Sequence, residues 1–317
     1  MRLCGRDLRG VSVSSGSILV MTAPDGYRYA TLTRAVKDKS SPLRRHLDAR
    51  YPNTRPVQTD YRAGAGDILV DGGTAASGTV GAAFDFAIRF ALNPGYDPKP
   101  ATRMFAGDAV AYAAVLGVVE LAATAPPSSD DFLRAAWAVA LCTEVFRTGR
   151  LMPGSPLVGL VEQERFTTEG LVGLATEDAL AELRTLREVA YVHLHPRIED
   201  AKTMAIGPSF KASALCSADA DLIYDGTLLE LKSHLGTKNA RTGTRADTLD
   251  LADLYQLIAY AMFDRDDAYG IHTVGVYSAR YGHFVSWPLR DTLDTMAGTT
   301  IDLQAERGTV WRLLGGS

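Results

Sequence analysis

The chain is short of cysteine, of long apolar runs and of positive charge, and each shortage excludes something. Three cysteines in 317 residues, Cys4, Cys142 and Cys216, stand far apart with no metal-ligand spacing, which leads us to expect reduced thiols and a cytoplasmic protein. The longest apolar run, Ala109 to Val119, falls short of the roughly 18 residues of a membrane span. The first residues are polar and basic, so no secretory signal is expected. A net charge of -4 argues against sequence-independent coating of nucleic acid, while leaving room for a local basic channel. No internal repeat or low-complexity segment is evident. At 46% hydrophobic residues the chain can bury a substantial core, in one elaborated domain or two lobes.

The most informative stretch runs from Asp219 to Lys232. Asp225-Gly226 lies between two runs of strand-forming residues, a strong hairpin signal. A two-residue turn sets Tyr224 against Thr227, Ile223 against Leu228, Leu222 against Leu229, Asp221 against Glu230 and Asp219 against Lys232. Alternation then puts Glu230 and Lys232 on one face and Leu229 and Leu231 on the other. Two acids side by side destabilise a hairpin unless something offsets their repulsion. A hard divalent cation does so; a solvated hairpin with an Asp219–Lys232 ion pair is the other reading.

Downstream, residues 249–264 carry apolar side chains at helical spacing, with Gln256 and Tyr260 at i, i+4 on one line. An Asp, then Glu-x-Lys, then a helix bearing Gln-x-x-x-Tyr resembles the PD-(D/E)XK nuclease superfamily, in particular its RecB-like branch. The resemblance covers roughly residues 213–264. Ala220 stands where the superfamily's name implies Pro. The resemblance implies an α/β fold: a small mixed β-sheet flanked by helices, a restriction-endonuclease-like core, with a helical N-terminal extension. Residues 1–190 are expected to be that mainly helical region, packed on a core at 191–317.

The same resemblance implies a site. Asp221, Glu230 and the backbone carbonyl of Leu231 would hold Mg²⁺ or Mn²⁺, Lys232 would position the attacking water, and Gln256 and Tyr260 would orient Lys232 or the substrate. Some RecB-like enzymes carry an iron–sulphur cluster on four cysteines; three dispersed cysteines do not supply one. The implied activity is hydrolysis of phosphodiester bonds, of DNA more than RNA, in genome maintenance or defence against mobile DNA. A non-cleaving nucleic-acid-binding or sensing module is the alternative, as is a partner-activated nuclease subunit. A protein partner or a second copy of the chain is a further candidate, and no membrane partner is expected.

Two more acids are candidate metal ligands. Residues 77–92 read as a buried helix ended by Asn93-Pro94-Gly95, in which Asp85 follows Gly81 by four residues; RecB-like relatives often carry His there, and Arg89 at i+4 offers a plain ion pair. A helix over about 104–123 precedes one over 130–148, closed by Gly149. In that second helix Glu144 shares a face with Leu133, Trp137 and Ala140 and is expected to be partly buried, as a ligand or paired with Arg147 or Arg150.

The remaining segments frame this core. Residues 41–50 suggest a short basic helix, mostly a solvated face, with Arg44, Arg45 and Arg50 as secondary phosphate candidates. Residues 151–176 are expected to loop over the surface and 177–189 to form an amphipathic helix. Residues 191–195 alternate like a strand carrying His193 and His195 on one face, as structural or substrate-edge residues. Between the hairpin and the Gln256 helix, a mobile polar loop carries Lys238, Arg241 and Arg245, well placed to hold a phosphate backbone. Two strands, 271–278 and 284–288, and one or two helices complete the chain.

Overall fold

Asp225 and Gly226 both adopt positive φ, 42° and 73°, the geometry a two-residue hairpin turn requires. A β-carbon at Gly226 would lie 2.6 Å from the His272 ring and 2.8 Å from the Gly270 carbonyl, so glycine is needed for space as well as for φ. The Asp225 carboxylate accepts from the backbone N–H groups of Lys202 and Thr203, tying the turn to the preceding strand. The resulting pairs, Leu222 with Leu229, Ile223 with Leu228 and Tyr224 with Thr227, are those expected from the sequence.

This hairpin is the centre of a computed structural model that describes residues 31–317. Its strands are β1 (Met204–Ile206), β2 (Leu222–Tyr224), β3 (Thr227–Lys232), β4 (Thr237–Lys238), β5 (Arg245–Ala246), β6 (Thr273–Ser278) and β7 (His283–Pro288). Five form one mixed sheet in the order β1-β2-β3-β6-β7, with β3 and β6 parallel and the other pairs antiparallel. A parallel pair needs a crossover, and the helix Leu251–Phe263 lies within it. Helices precede, interrupt and follow the sheet, so the architecture is α/β. Among the described residues no helix is long and apolar enough to cross a membrane.

Both faces of the sheet are covered, each by its own core. Leu222, Leu229 and Tyr277 point into a cluster with the helices Ser77–Leu92, Ala109–Thr124, Asp130–Thr148 and Glu177–His193. Ile223, Leu228, Val274 and Val276 point the other way, into a cluster with Leu251–Phe263, Leu32–Lys37, Pro42–Arg50 and the closing helices Leu289–Ala297 and Leu303–Leu313. Neighbours along β3 thus serve opposite cores: Leu228 and Leu229 are both 0% exposed, each contributing about 1.5–3 kcal/mol by burial.

Several sequence expectations need correcting. Residues 191–195 are not a strand. The helix Glu177–His193 takes in the first three of them, because Leu183, Leu186 and Ala190 keep its buried stripe going; after Leu194 a four-residue helix, His195–Ile198, begins with Pro196 in its first turn. Residues 151–176 contain two helices, Pro156–Glu162 and Thr168–Val172, started by the Ser155 and Thr167 hydroxyls and anchored by buried Leu157, Leu160 and Leu171. The helix expected over 104–123 starts later, where Asp108 caps Val110 and Ala111. Asp219 does not face Lys232: ahead of β2 it bridges Ser209, in the same register as the β1–β2 pairs, and its carboxylate lies 3.8 Å from Arg89 Nη1. The segment carrying Lys238, Arg241 and Arg245 is a small β4–β5 hairpin, in which Lys238 pairs with Arg245. Of the cysteines, Cys4 lies outside the described residues, whereas Cys142 and Cys216 are buried, and burial pushes the Cys142 thiol up to about 12.

Candidate active site at the end of β3

The last residues of β3 carry the site. Alternation turns Glu230 and Lys232 to the face where Leu251–Phe263 packs. That face is not a solvated cleft: Glu230 is 5% exposed and Lys232 is held within hydrogen bonds. Lys232 Nζ lies 3.1 Å from Glu230 Oε1, 3.0 Å from Asp253 Oδ1 and 3.4 Å from Gln256 Oε1. The Gln256 amide in turn donates to the Tyr260 hydroxyl at 2.7 Å. The i, i+4 line of the helix therefore becomes a chain of polar contacts from Tyr260 through Gln256 to Lys232. Asp253, one turn before Gln256, completes it and also meets His234 Nδ1 at 3.6 Å.

A second group converges from the other layer. Asp221 Oδ2 accepts from the Leu231 N–H at 2.7 Å, so this acid folds back onto β3. Its Oδ1 accepts from Arg89 Nη2 at 2.9 Å, and Arg89 Nε donates to Asp85 Oδ1 at 2.9 Å. Tyr96 and Gly207 close over the guanidinium: Arg89 Nη1 is 3.1 Å from the Tyr96 hydroxyl, and a β-carbon at Gly207 would lie 2.3 Å from it. The helix bearing Asp85 and Arg89 can approach β3 because Gly81 has no side chain; a β-carbon there would lie 2.4 Å from Ser233 Oγ, just beyond Lys232.

The electrostatics follow from crowding three acids in a dry place. Burial and the Asp221 charge push Glu230 up to about 8, Lys232 only partly opposing them. Glu230 is thus both an ion-pair partner through Oε1 and reluctant to ionise, and its Oε2 is buried with no partner. Burial raises Asp85 to about 6; Arg89 opposes this and Asp221 adds to it. For Lys232, burial favours the neutral amine, but Glu230 and Asp253 win and raise it, so it stays a cation. Burial, reinforced by Glu230 and Asp221, raises Tyr260 well above its ordinary range and keeps the phenol protonated.

All five motif residues, Asp221, Glu230, Lys232, Gln256 and Tyr260, meet here, and Asp85 joins them. Glu144 differs: it is exposed at the last turns of its helix, where the buried stripe of Leu133, Trp137 and Ala140 runs out. Lys238 and Arg241 are exposed on the β4–β5 hairpin and Arg245 is half-buried there. Arg44 and Arg50 are engaged elsewhere, with Asp48 and Glu306, and only Arg45 of that group is exposed. Sequence reasoning missed Asp253 and the reach of Arg89 to Asp221. Asp253 had a signal, its i, i+3 spacing from Gln256; the Arg89 contact spans 132 positions and had none.

The donor chemistry suits a hard cation: carboxylate oxygens, mutual repulsion that a cation relieves, and one orphaned oxygen. Among the described residues no three His, Cys, Asp or Glu side chains are already grouped to hold an ion; Arg89 instead bridges Asp85 and Asp221 and also reaches Asp219. No family model, curated protein or solved structure matches the chain.

Proposed function

We propose that the chain is a divalent-metal-dependent nuclease with a PD-(D/E)XK, restriction-endonuclease-like core, hydrolysing phosphodiester bonds of DNA in preference to RNA. The observation that carries this is the convergence of Asp221, Glu230, Lys232, Gln256 and Tyr260, set apart in sequence, on the end of β3: Glu230 and Gln256 reach Lys232, Tyr260 holds Gln256, and Asp221 accepts from the Leu231 N–H. Asp221 and Glu230, with the Leu231 carbonyl, would hold Mg²⁺ or Mn²⁺, which supplies Lewis acidity and an activated water when bound. Lys232 is a fixed cation and not a base; it stabilises charge developing on the phosphate and orients the attacking water. Gln256 and Tyr260 hold its ammonium in place. The decisive test incubates plasmid, linear duplex and single-stranded substrates with Mn²⁺ or with chelator. Cleavage that needs Mn²⁺ and disappears in Lys232→Met is the expected result.

The Arg89 bridge favours a second reading, a nucleic-acid-binding module that does not cut, because a guanidinium already neutralises Asp85 and Asp221. Calorimetry decides between them. Binding of DNA without uptake of Mn²⁺ or cleavage supports the second reading; Mn²⁺ uptake lost in Asp221→Asn supports the first.

A further inference from the structure

A cavity of about 510 Å³ opens beside the outer edge strand β7, lined among others by Gly64, His193, Arg197, Gly282, His283 and Phe284. Register puts it at the same end of the sheet as the site above, since Lys232 pairs with Ser278 and Ser278 with His283. It shares no residue with that site.

Its walls are built for an anion. None of the lining residues is an acid. The Arg197 guanidinium lies over the Phe284 ring, 5.4 Å from its centre, and has no carboxylate partner among the described residues. His283 is held from behind: its Nδ1 is 3.2 Å from Asp247 Oδ2, which is buried and also accepts from the Tyr61 hydroxyl at 2.8 Å. The Tyr61 ring packs on the imidazole at 4.7 Å between centroids. A carboxylate on Nδ1 fixes the tautomer and leaves Nε2 as the working atom. That atom has no protein partner among the described residues, and it is bared because residue 64 is glycine; a β-carbon there would stand 3.0 Å from it. Gly282, at φ 57°, lets the β6–β7 turn sit against the His193 ring, where a β-carbon would come within 2.7 Å.

We propose that this cavity binds a phosphate monoester, held by Arg197, His283 and His193. Arg offers paired N–H donors that match phosphate oxygens. His283 Nε2 accepts from a phosphate hydroxyl, or donates once the ring carries a second proton, with Asp247 balancing the charge. His193 closes the other side. The proposal rests on these residues and not on cleavage. The phosphate belongs either to the end of a nucleic-acid strand or to a free phosphate or mononucleotide.

The test uses the full chain in chelator, so that no cutting intervenes. One arm measures anisotropy of a single-stranded oligonucleotide carrying a 5′-phosphate, a 3′-phosphate or only hydroxyl ends. The other titrates inorganic phosphate by calorimetry. A terminal phosphate is expected to tighten binding about tenfold, the value of one charge-assisted hydrogen bond of about 1.5 kcal/mol. Arg197→Gln and His283→Gln should each reduce that gain to within about twofold; Arg197 is exposed, so its variant serves even where the buried His283 change impairs folding. Uptake of inorganic phosphate without oligonucleotide binding, lost in Arg197→Gln, supports the cavity with a free ligand and removes the nuclease reading alone. Equal binding of all oligonucleotides with no phosphate uptake overturns the proposal, as does a phosphate preference that survives in Arg197→Gln.

Discussion

Glu230 concentrates the conflict between charge and burial. Its carboxyl titrates at about 8 in the fold against an ordinary 4.5, so the folded chain holds this proton more tightly than the unfolded one. The sign follows from linkage: the favourable contribution is complete below about 4.5 and is lost as pH rises towards 8. In chelator, the midpoint of thermal unfolding should therefore fall between pH 5 and pH 8.5 by more in the wild type than in Glu230→Gln, and Mn²⁺ should restore it at the alkaline end. Parallel curves for the two proteins would show that Glu230 is ionised throughout. Lys232 faces the opposite constraint. Removing its charge leaves Glu230 and Asp253 buried without a counter-ion, so Lys232→Met should cost about 3–5 kcal/mol above pH 8 as well as abolishing cleavage. Denaturant unfolding at pH 8.5 checks the first part; a variant as stable as wild type would mean the lysine is better solvated than its three polar partners imply.

At the scale of elements, the β2–β3 hairpin and the Ser77–Leu92 helix meet through Arg89. The helix contributes the cation, the hairpin the acid, and Gly81 the close approach. Arg89→Gln leaves Asp85 and Asp221 facing one another, so the apo protein should lose stability while Mn²⁺ raises its unfolding midpoint more than it does in the wild type. Thermal unfolding with and without metal measures both; a smaller metal response in the variant would mean Arg89 helps metal binding instead of competing with it. The turn has its own signature. Gly226→Ala puts a β-carbon against His272 and the Gly270 carbonyl at φ 73°, and should destabilise by about 1 kcal/mol or more. Chemical denaturation reads that loss directly.

The whole molecule is acidic, at a net charge of -4, so any nucleic acid must be drawn by local positive charge. The β4–β5 hairpin leaves the sheet immediately after β3 and carries Lys238, Arg241 and Arg245 beyond the site. Neutralising all three should weaken DNA binding and lower the slope of log affinity against log salt by about 0.7–0.9 for each phosphate no longer neutralised, leaving Mn²⁺ uptake unchanged. Anisotropy titrations across a salt series provide the slope. If it does not move, the strand follows another path, for which exposed Arg45 becomes the next residue to change.

The sequence alone determined what depends on neighbours along the chain. Asp225-Gly226 specified the turn and with it the β2–β3 register; Gly149 closed the helix Asp130–Thr148 with a left-handed residue; the spacing of Gln256 and Tyr260 put them on one line. Each is a local rule, and the fold obeys all three. The candidate site was legible as far as its five motif residues, because a strand and a helix order their own side chains. Tertiary packing decided the rest. Residues 191–195 alternate like a strand, yet the buried stripe of the preceding helix carried it to His193 and a second short helix begins at His195, since five residues of alternation are outweighed by a helical face. Glu144 is exposed although its neighbours Thr143 and Val145 are buried, because at that turn the helix presents residue 144 to solvent. Whether the Glu230 face met water or a second core depended on where Leu251–Phe263 packed, and that packing made its carboxyl reluctant to ionise. Only the folded chain could bring Arg89 across to Asp221, because burying one charge requires another that the local sequence does not specify.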